Sequence, residues 1–401
     1  MKFAHMADCH VGSWRDPKLK NLSIQAFSKA IQICIDNKVD FILIAGDLFN
    51  NALPGIDILK VVVKELNSLK EKYIPVYIIP GSHDYSPSGK TMIDVFEEAG
   101  LVKNVFKGHI SDNKLFLHFT KDNKTGVKIT GVLGRRGTLE KKYYEALDIE
   151  SLEKESGKKI FMFHSAITEL MPKEFSNVES TPISTLPKGF EYYAGGHIHI
   201  IRHESLDNYK NIAYAGPLFP ASFSELEKLG NGGFYIYNDG KITREDINLK
   251  NTLIINIDAN HKTPEEVNTA ILTEIKGKEL INTIVLIRIY GTLSAGKISD
   301  IHFNEIFDRI YSQGAFYVMR NTSKLQTEEF EEIKIANDSI ESIEDTIINE
   351  HLQQFNLFEK DKEREIIKNL MKVFESEKHE GEKVYEYDDR IKKMADKVLD
   401  L

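Results

Sequence analysis

The chain has 401 residues, 41% of them hydrophobic and 28% charged, with two cysteines and a net charge of −9. That length predicts two or three domains with proper cores. A mean hydropathy of −0.31, with no apolar run near the ~18 residues of a membrane helix, argues against membrane insertion. The N-terminus reads directly as a strand rather than as a basic-then-apolar leader, and Cys9 and Cys34 imply no disulfide framework. A cytoplasmic protein is therefore expected.

The charge is uneven. Residues 1–250 carry 32 basic and 31 acidic side chains, against 20 and 30 in residues 251–401. The acidity belongs to the C-terminal part, so it marks a boundary near residue 250 and leaves an anionic partner open to the N-terminal part.

In chain order, residues 2–7 read as a strand and 22–37 as a helix. Residues 39–45 (VDFILIA) form a continuous apolar run, as expected of a strand buried on both faces. An amphipathic helix over 56–72 and a buried strand over 75–80 follow. A helix starts near Thr91, with Asp94 completing a cap, and stops at Gly100. Residues 103–134 read as short hairpins, and 159–163, 192–195, 211–215 and 233–237 complete the strands. Strands with intervening helices predict an α/β layered domain. The pattern restarts at Leu253 with strands over 253–257, 283–289 and 315–319 and helices opened by Pro264 and Asn304. Residues 328–334 read as an acidic linker, and 341–355, 361–374 and 388–398 as helices. The predicted domains are 1–250, 251–325 and 326–401.

Five sites share one design, with polar ligand types placed just after an apolar strand. They are Asp8 and His10; Gly46 and Asp47; Gly81, Ser82, His83 and Asp84; His164; and Gly196, His197 and His199. Singly, each has a plainer reading. Asp8 could cap a turn, Gly46-Asp47 could end a strand, and His164 could be a packed core histidine. Together they place Asp and His at the carboxyl ends of strands, where open α/β sheets bind ligands. Such side chains supply the oxygen and imidazole ligands of a transition-metal site. Two metals sharing a carboxylate activate water for attack on phosphate.

The succession D-x-H, GD, G-x-H-[DE], a lone H and G-H-x-H resembles the calcineurin-like metallophosphoesterases. The opening MKFAHMADCHVGS and the run FILIAGDLFN resemble the Mre-eleven/SbcD branch, nuclease subunits that work with an SMC-like Rad-fifty/SbcC-type ATPase. The resemblance implies a two-layered β-sandwich core flanked by helices, a small α/β cap and a helical ATPase-binding tail. It implies two divalent metal ions, Mn²⁺ in this branch. Asp8, His10 and His199 would hold one, His164 and His197 the other, and Asp47 would bridge them. His83 would act at the leaving-group oxygen, oriented by a hydrogen bond from its ring to Asp84. The implied activity is double-strand-break processing, as a 3′→5′ exonuclease on duplex ends and an endonuclease on single strands or hairpins. A phosphodiesterase or phosphatase for another substrate, and a weakly active DNA tether, are the alternatives.

Ser82 departs from the family, which has Asn there. A Ser hydroxyl is a shorter, poorer neutral ligand than an amide oxygen, so weaker occupancy of the second site is expected. Trp14, Arg15, Arg135, Arg136 and His203 are candidate DNA contacts, with Lys141 and Lys142 extending the basic cluster. His5 and Cys9 read as packed. The branch forms homodimers through helices matching 56–72 and 90–99, which points to Ile58, Val62, Leu66, Met92, Val95 and Phe96. Packing of those side chains on their own sheet is the alternative. Apolar stripes in the tail (Ile343, Ile347, Leu352; Ile366, Leu370, Val373) suggest a protein partner.

Overall fold

The structure is a computed structural model that describes residues 1–86, 89–135, 137, 139–175, 178–327, 348, 359–376, 378–379 and 384–399. The chain divides into two compact units, residues 1–328 and 329–401.

Two sheets face each other in the first unit. The first runs in the order Lys241–Ile247, Gly232–Asn238, Lys2–Met6, Phe41–Ala45, Val76–Ile79 and Lys103–Asn104. The second runs Arg202–Leu206, Tyr209–Tyr214, Tyr192–Gly196, Lys159–His164, Lys128–Val132 and Thr120–Lys121. Within each sheet the central strands are parallel, so their carboxyl ends share one edge.

Alternation along the strands builds the layers. Phe3, Phe41, Leu43, Tyr77 and Ile79 point inward onto Ile129, Ile160, Met162, Tyr192 and Ala194 of the other sheet. The intervening positions Ala4, Met6, Ile42, Ile44 and Ile78 face outward and are covered by helices Pro17–Asp36 and Ile56–Glu71. Phe161, Phe163, Tyr193 and Tyr214 do the same for the second sheet beneath Lys141–Ala146 and Ile149–Lys154. Burial on both faces is why residues 41–45 are uninterruptedly apolar. The result is the expected β-sandwich core flanked by helices.

One expectation is corrected here. Ile58, Val62, Leu66 and Phe96 are buried in the core of their own chain. They cannot face a second copy, because the stripe they form is already used to cover the sheet. The exposed apolar side chains of this region are instead Leu53, Ile56, Val63 and Val95.

Asn251–Asp258, Thr283–Leu293 and Tyr317–Thr327 form a parallel three-stranded sheet, packed with Pro264–Ile275 and Phe303–Ser312 around their own core. In the second unit Lys360–Phe374 and Val384–Val398 are helices, and the Tyr387 hydroxyl donates to the Ser376 carbonyl at 3.0 Å. The predicted linker 328–334, and the predicted helix 341–355 apart from residue 348, lie outside the described residues. Among the described residues no helix is long and apolar enough to cross a membrane.

Candidate metal centre

The parallel strands deliver the predicted residues to one rim. Lys2–Met6 leads to Asp8 and His10, Phe41–Ala45 to Asp47, and Val76–Ile79 to Ser82, His83 and Asp84. His164 ends its strand, and His197 and His199 follow Tyr192–Gly196. The two sheets are joined at this rim by hydrogen bonds. The His197 backbone N–H donates to Asp8 Oδ1 at 2.8 Å, His164 Nδ1–H donates to the Ala45 carbonyl at 2.8 Å, and Gly134 N–H donates to the Pro80 carbonyl at 2.9 Å.

The ligand atoms are packed closely. His10 Nε2 lies 3.0 Å from His199 Nε2 and 3.6 Å from Asp47 Oδ2. His164 Nε2 lies 3.3 Å from Asp47 Oδ2, and His199 Nε2 lies 3.8 Å from Asp8 Oδ1. Three triplets have ligand atoms within 4.8 Å of one another: Asp8, His10 and His199; Asp8, Asp47 and His164; and His10, Asp47 and His83. The His197 ring stands against that of His164, centroids 5.1 Å apart. Ser82 is buried, and its hydroxyl donates to Asp47 Oδ2 at 3.4 Å.

Turning five strand ends onto one point strains the backbone. Asp8, His10, Asp47, His197 and His199 have φ of 49°, 41°, 51°, 99° and 51°. Each such residue costs about 1–3 kcal/mol and persists only where its surroundings over-determine it. Close approach also requires glycine. A Cβ at Gly46 (φ +83°) would lie 2.1 Å from His164 Nδ1, and one at Gly81 would lie 2.2 Å from Asp47 Oδ1.

The electrostatics call for a cation. His164 gives its Nδ1 proton to the Ala45 carbonyl, so the ring atom that faces Asp47 Oδ2 at 3.3 Å is Nε2, where a positive charge, a second proton or a cation, is required. Burial would lower the His164 pKa, but Asp47 and Asp8 outweigh it and push it up to about 10. For His199 burial is likewise outweighed, by Asp8 and Glu225, and its pKa rises to about 9. Asp47 is held well below the usual carboxylate range. Its burial is overcome by His164, His10 and His83. Burial, little opposed, takes His10 down to about 3 and His197 to about 4, so both imidazoles are neutral at pH 7. Protons on His164 and His199 stand where divalent ions would. Buried carboxylates, neutral imidazoles and facing lone pairs fit two such ions.

Asp84 requires a correction. Its carboxylate accepts backbone N–H groups from Gly81 (2.8 Å), Phe49 (3.2 Å) and Leu48 (3.3 Å). The His83 ring instead donates Nδ1–H to the Asn50 carbonyl at 2.9 Å. Asp84 therefore ties two strand-end loops together, and Asn50 orients the histidine. Burial and the neighbouring Asp47 push the Asp84 pKa up to about 7.

Other candidates are brought less close. The Trp14 indole N–H donates to the Pro220 carbonyl at 2.9 Å, and Arg15 is exposed. Arg135, next to Gly134, lays its guanidinium 4.2 Å from the Tyr85 ring centroid. His203 sits on the outermost strand of the second sheet, against Asn211 and Tyr235. Lys141 pairs with Glu179, and Arg136 lies outside the described residues. His5 and Cys9 are buried, as read.

Glu225 was missed. Its Oε1 accepts His199 Nδ1–H at 3.1 Å. The spacing Ser222-x-x-Glu225 signals a helix cap, and Ser222 does cap helix Phe223–Leu229. Nothing in that spacing points to His199.

Residues 1–200 match the calcineurin-like phosphoesterase family. The chain is similar to proteins named DNA double-strand break repair protein Mre11. It is 28% identical to the one from Methanococcus maripaludis, over 63% of this chain and 69% of that one. It is 28% identical to the one from Archaeoglobus fulgidus (57% and 52%) and 31% to the one from Sulfurisphaera tokodaii (61% and 62%). The match thus spans between about half and about two thirds of these relatives' lengths. A solved dimetal phosphatase from Danio rerio aligns over 61% of this chain and 95% of its own, at 10% identity and a TM-score of 0.41.

Proposed function

Residues 1–200 belong to the calcineurin-like phosphoesterase family, and from that premise we propose that this metal-dependent phosphodiester hydrolase is a nuclease of DNA double-strand-break repair. The observation that carries the reading is the convergence of five strand ends on one buried Asp/His cluster with His83 at its mouth. The similarity to proteins named for DNA double-strand break repair supports DNA as the substrate.

Asp8, His10 and His199 would hold one ion and His164, His197 and Ser82 the other, with Asp47 shared. Mn²⁺ is the ion we propose, in keeping with the chain's mixed oxygen and imidazole donors. Two such ions supply Lewis acidity to a phosphoryl oxygen and a nucleophile from water at neutral pH. The chain's own contribution is orientation. Ala45 and Glu225 fix the proton of His164 and His199 on Nδ1, which aims each Nε2 at the centre. The Asn50 carbonyl likewise accepts Nδ1–H of His83, so it is as an imidazolium that this ring would pass its Nε2 proton to the leaving oxygen, returning to the neutral Nδ1–H form.

The proposed action is 3′→5′ exonucleolytic on duplex ends and endonucleolytic on single strands or hairpins, in the cytoplasm, with Trp14, Arg15, Arg135, Arg136 and His203 as DNA contacts. Residues 1–250 would be the nuclease domain, 251–325 a cap, and 326–401 a linker and tail that docks an SMC-like ATPase. Leu53, Ile56, Val63 and Val95, each apolar and exposed, are the side chains that support a homodimer face.

Ser82 favours a second reading, a weakly active DNA tether, since it stands where the family has an amide ligand. Duplex and hairpin DNA and bis(4-nitrophenyl) phosphate, each with Mn²⁺, separate the readings. DNA cleavage is expected. Hydrolysis of the small ester alone overturns the nuclease reading, and DNA binding without cleavage of either supports the tether.

A further inference from the structure

Helix Phe223–Leu229 touches two distant parts of the first unit. On one side, Glu225 Oε1 accepts His199 Nδ1–H at 3.1 Å and the Ser222 hydroxyl at 3.2 Å. Its Oε2 accepts the Ala221 backbone N–H at 2.9 Å. On the other side, Glu227 receives the Arg288 guanidinium through two bonds, Nε at 2.6 Å and Nη2 at 2.7 Å. Arg288 belongs to Thr283–Leu293, the middle strand of the three-stranded sheet, and also lies 5.1 Å from the Phe223 ring centroid. Residues two apart on a helix differ by about 200° in direction, so Glu225 and Glu227 leave on opposite sides.

A helix of seven residues has no stability of its own, and its position comes from what it touches. Its anchors are the buried Leu226 and the two-bonded Glu227–Arg288 pair, the strongest kind of side-chain ion pair. Whatever fixes this helix fixes Glu225, and Glu225 decides where the His199 lone pair points. The two oriented histidines thus differ. His164 is held by the carbonyl of Ala45, part of a central strand buried on both faces. His199 is held by a side chain on a short helix that the three-stranded sheet grips.

We propose that Glu225 is a positioning residue for His199, and that the Glu227–Arg288 pair lets the three-stranded sheet set the affinity of the ion held by Asp8, His10 and His199. The inference rests on reading the centre as a metal site.

Mn²⁺ binding to the full chain, followed by calorimetry and by protection against melting, tests it without recourse to activity. Glu225→Ala should weaken Mn²⁺ binding at one of two sites by about 10–100-fold, the usual effect of removing a ligand's outer partner. Glu225→Gln, which keeps an acceptor oxygen, should recover part of the loss. Arg288→Met should weaken the same site, with Arg288→Lys intermediate. A purely structural role would lower the melting temperature without metal and leave affinity alone. Unchanged affinity in either Glu225→Ala or Arg288→Met overturns the proposal, even where the melting temperature falls. A wild-type chain that binds no Mn²⁺ overturns the metal reading itself, and this inference with it.

Discussion

His10 and His199 point their Nε2 atoms at each other across 3.0 Å, each also within 3.8 Å of an aspartate oxygen. Two imidazole nitrogens at that separation share either a proton or a cation. With Glu225 holding the Nδ1 proton of His199, a divalent ion drawing on both lone pairs removes the need for a proton between them. Mn²⁺ should therefore stabilise the fold, by about 2.7 kcal/mol at a hundredfold excess over its dissociation constant. A rise in melting temperature on adding Mn²⁺, reversed by chelator and abolished in His10→Ala, is expected. Equal melting temperatures with and without the ion would rule out binding.

The same groups set a pH dependence. The pKa values of His164 and His199, at about 10 and about 9, lie above the value of about 6.5 expected in an unfolded chain. The stability they lend the metal-free protein is fully present below pH 6.5 and is lost as pH rises through 9 to 10. Metal binding must displace both protons, so Mn²⁺ affinity should climb from pH 6.5 to 8, by up to about tenfold per unit for each proton. Calorimetry in buffers of different ionisation enthalpy should count about two protons released at pH 7. No release would show that His164 and His199 are not ligands.

Much of this site is legible in the sequence because burial on both faces forces uninterrupted apolar runs. The polar residues after residues 41–45 and 76–79 then stand out as strand-end ligands. The cap of Thr91 and Asp94 is equally local, and both of its bonds form. What escapes is the choice of partner over distance. The family resemblance implies that Asp84 serves His83, yet Asp84 binds backbone N–H groups of Leu48 and Phe49, some 36 residues earlier. Helical periodicity shows that Ile58, Val62 and Leu66 share a buried face, but not what buries it. Glu225 reaches His199 only because a seven-residue helix is packed across the rim.

Asp84 should therefore behave as a structural residue. Asp84→Ala leaves three buried N–H groups without an acceptor, at about 1–3 kcal/mol each, and the melting temperature should fall steeply. Asp84→Asn keeps one acceptor oxygen and should lose less. If Asp84→Asn keeps its stability but loses hydrolysis to the extent of a His83 variant, the carboxylate serves the ring after all.

His83 should show the opposite pattern. It stands at the mouth with its ring 4.9 Å from that of His10, oriented by Asn50. His83→Gln should cut the rate of DNA hydrolysis by about 10²–10⁴-fold, the range for a positioned acid, with Mn²⁺ affinity changed little. The loss should shrink for a diester whose leaving group is 4-nitrophenolate, since that oxygen needs no proton. Equal losses on both substrates would deny His83 the role of proton donor.

Ser82 gives the last test. Its hydroxyl is directed at Asp47 Oδ2, 3.4 Å away, so its proton is engaged with a carboxylate that the two ions would share. An amide at this position offers a longer reach and a carbonyl oxygen free of that competition. Ser82→Asn should tighten the weaker of two Mn²⁺ sites and raise the rate at low Mn²⁺, with less effect at saturation. The space is confined, since a Cβ on neighbouring Gly81 already meets Asp47, so the variant's melting temperature without metal should fall slightly. Titration of rate against Mn²⁺ distinguishes the cases. A half-saturating concentration that does not move would mean that the serine already meets the second ion as well as an asparagine does.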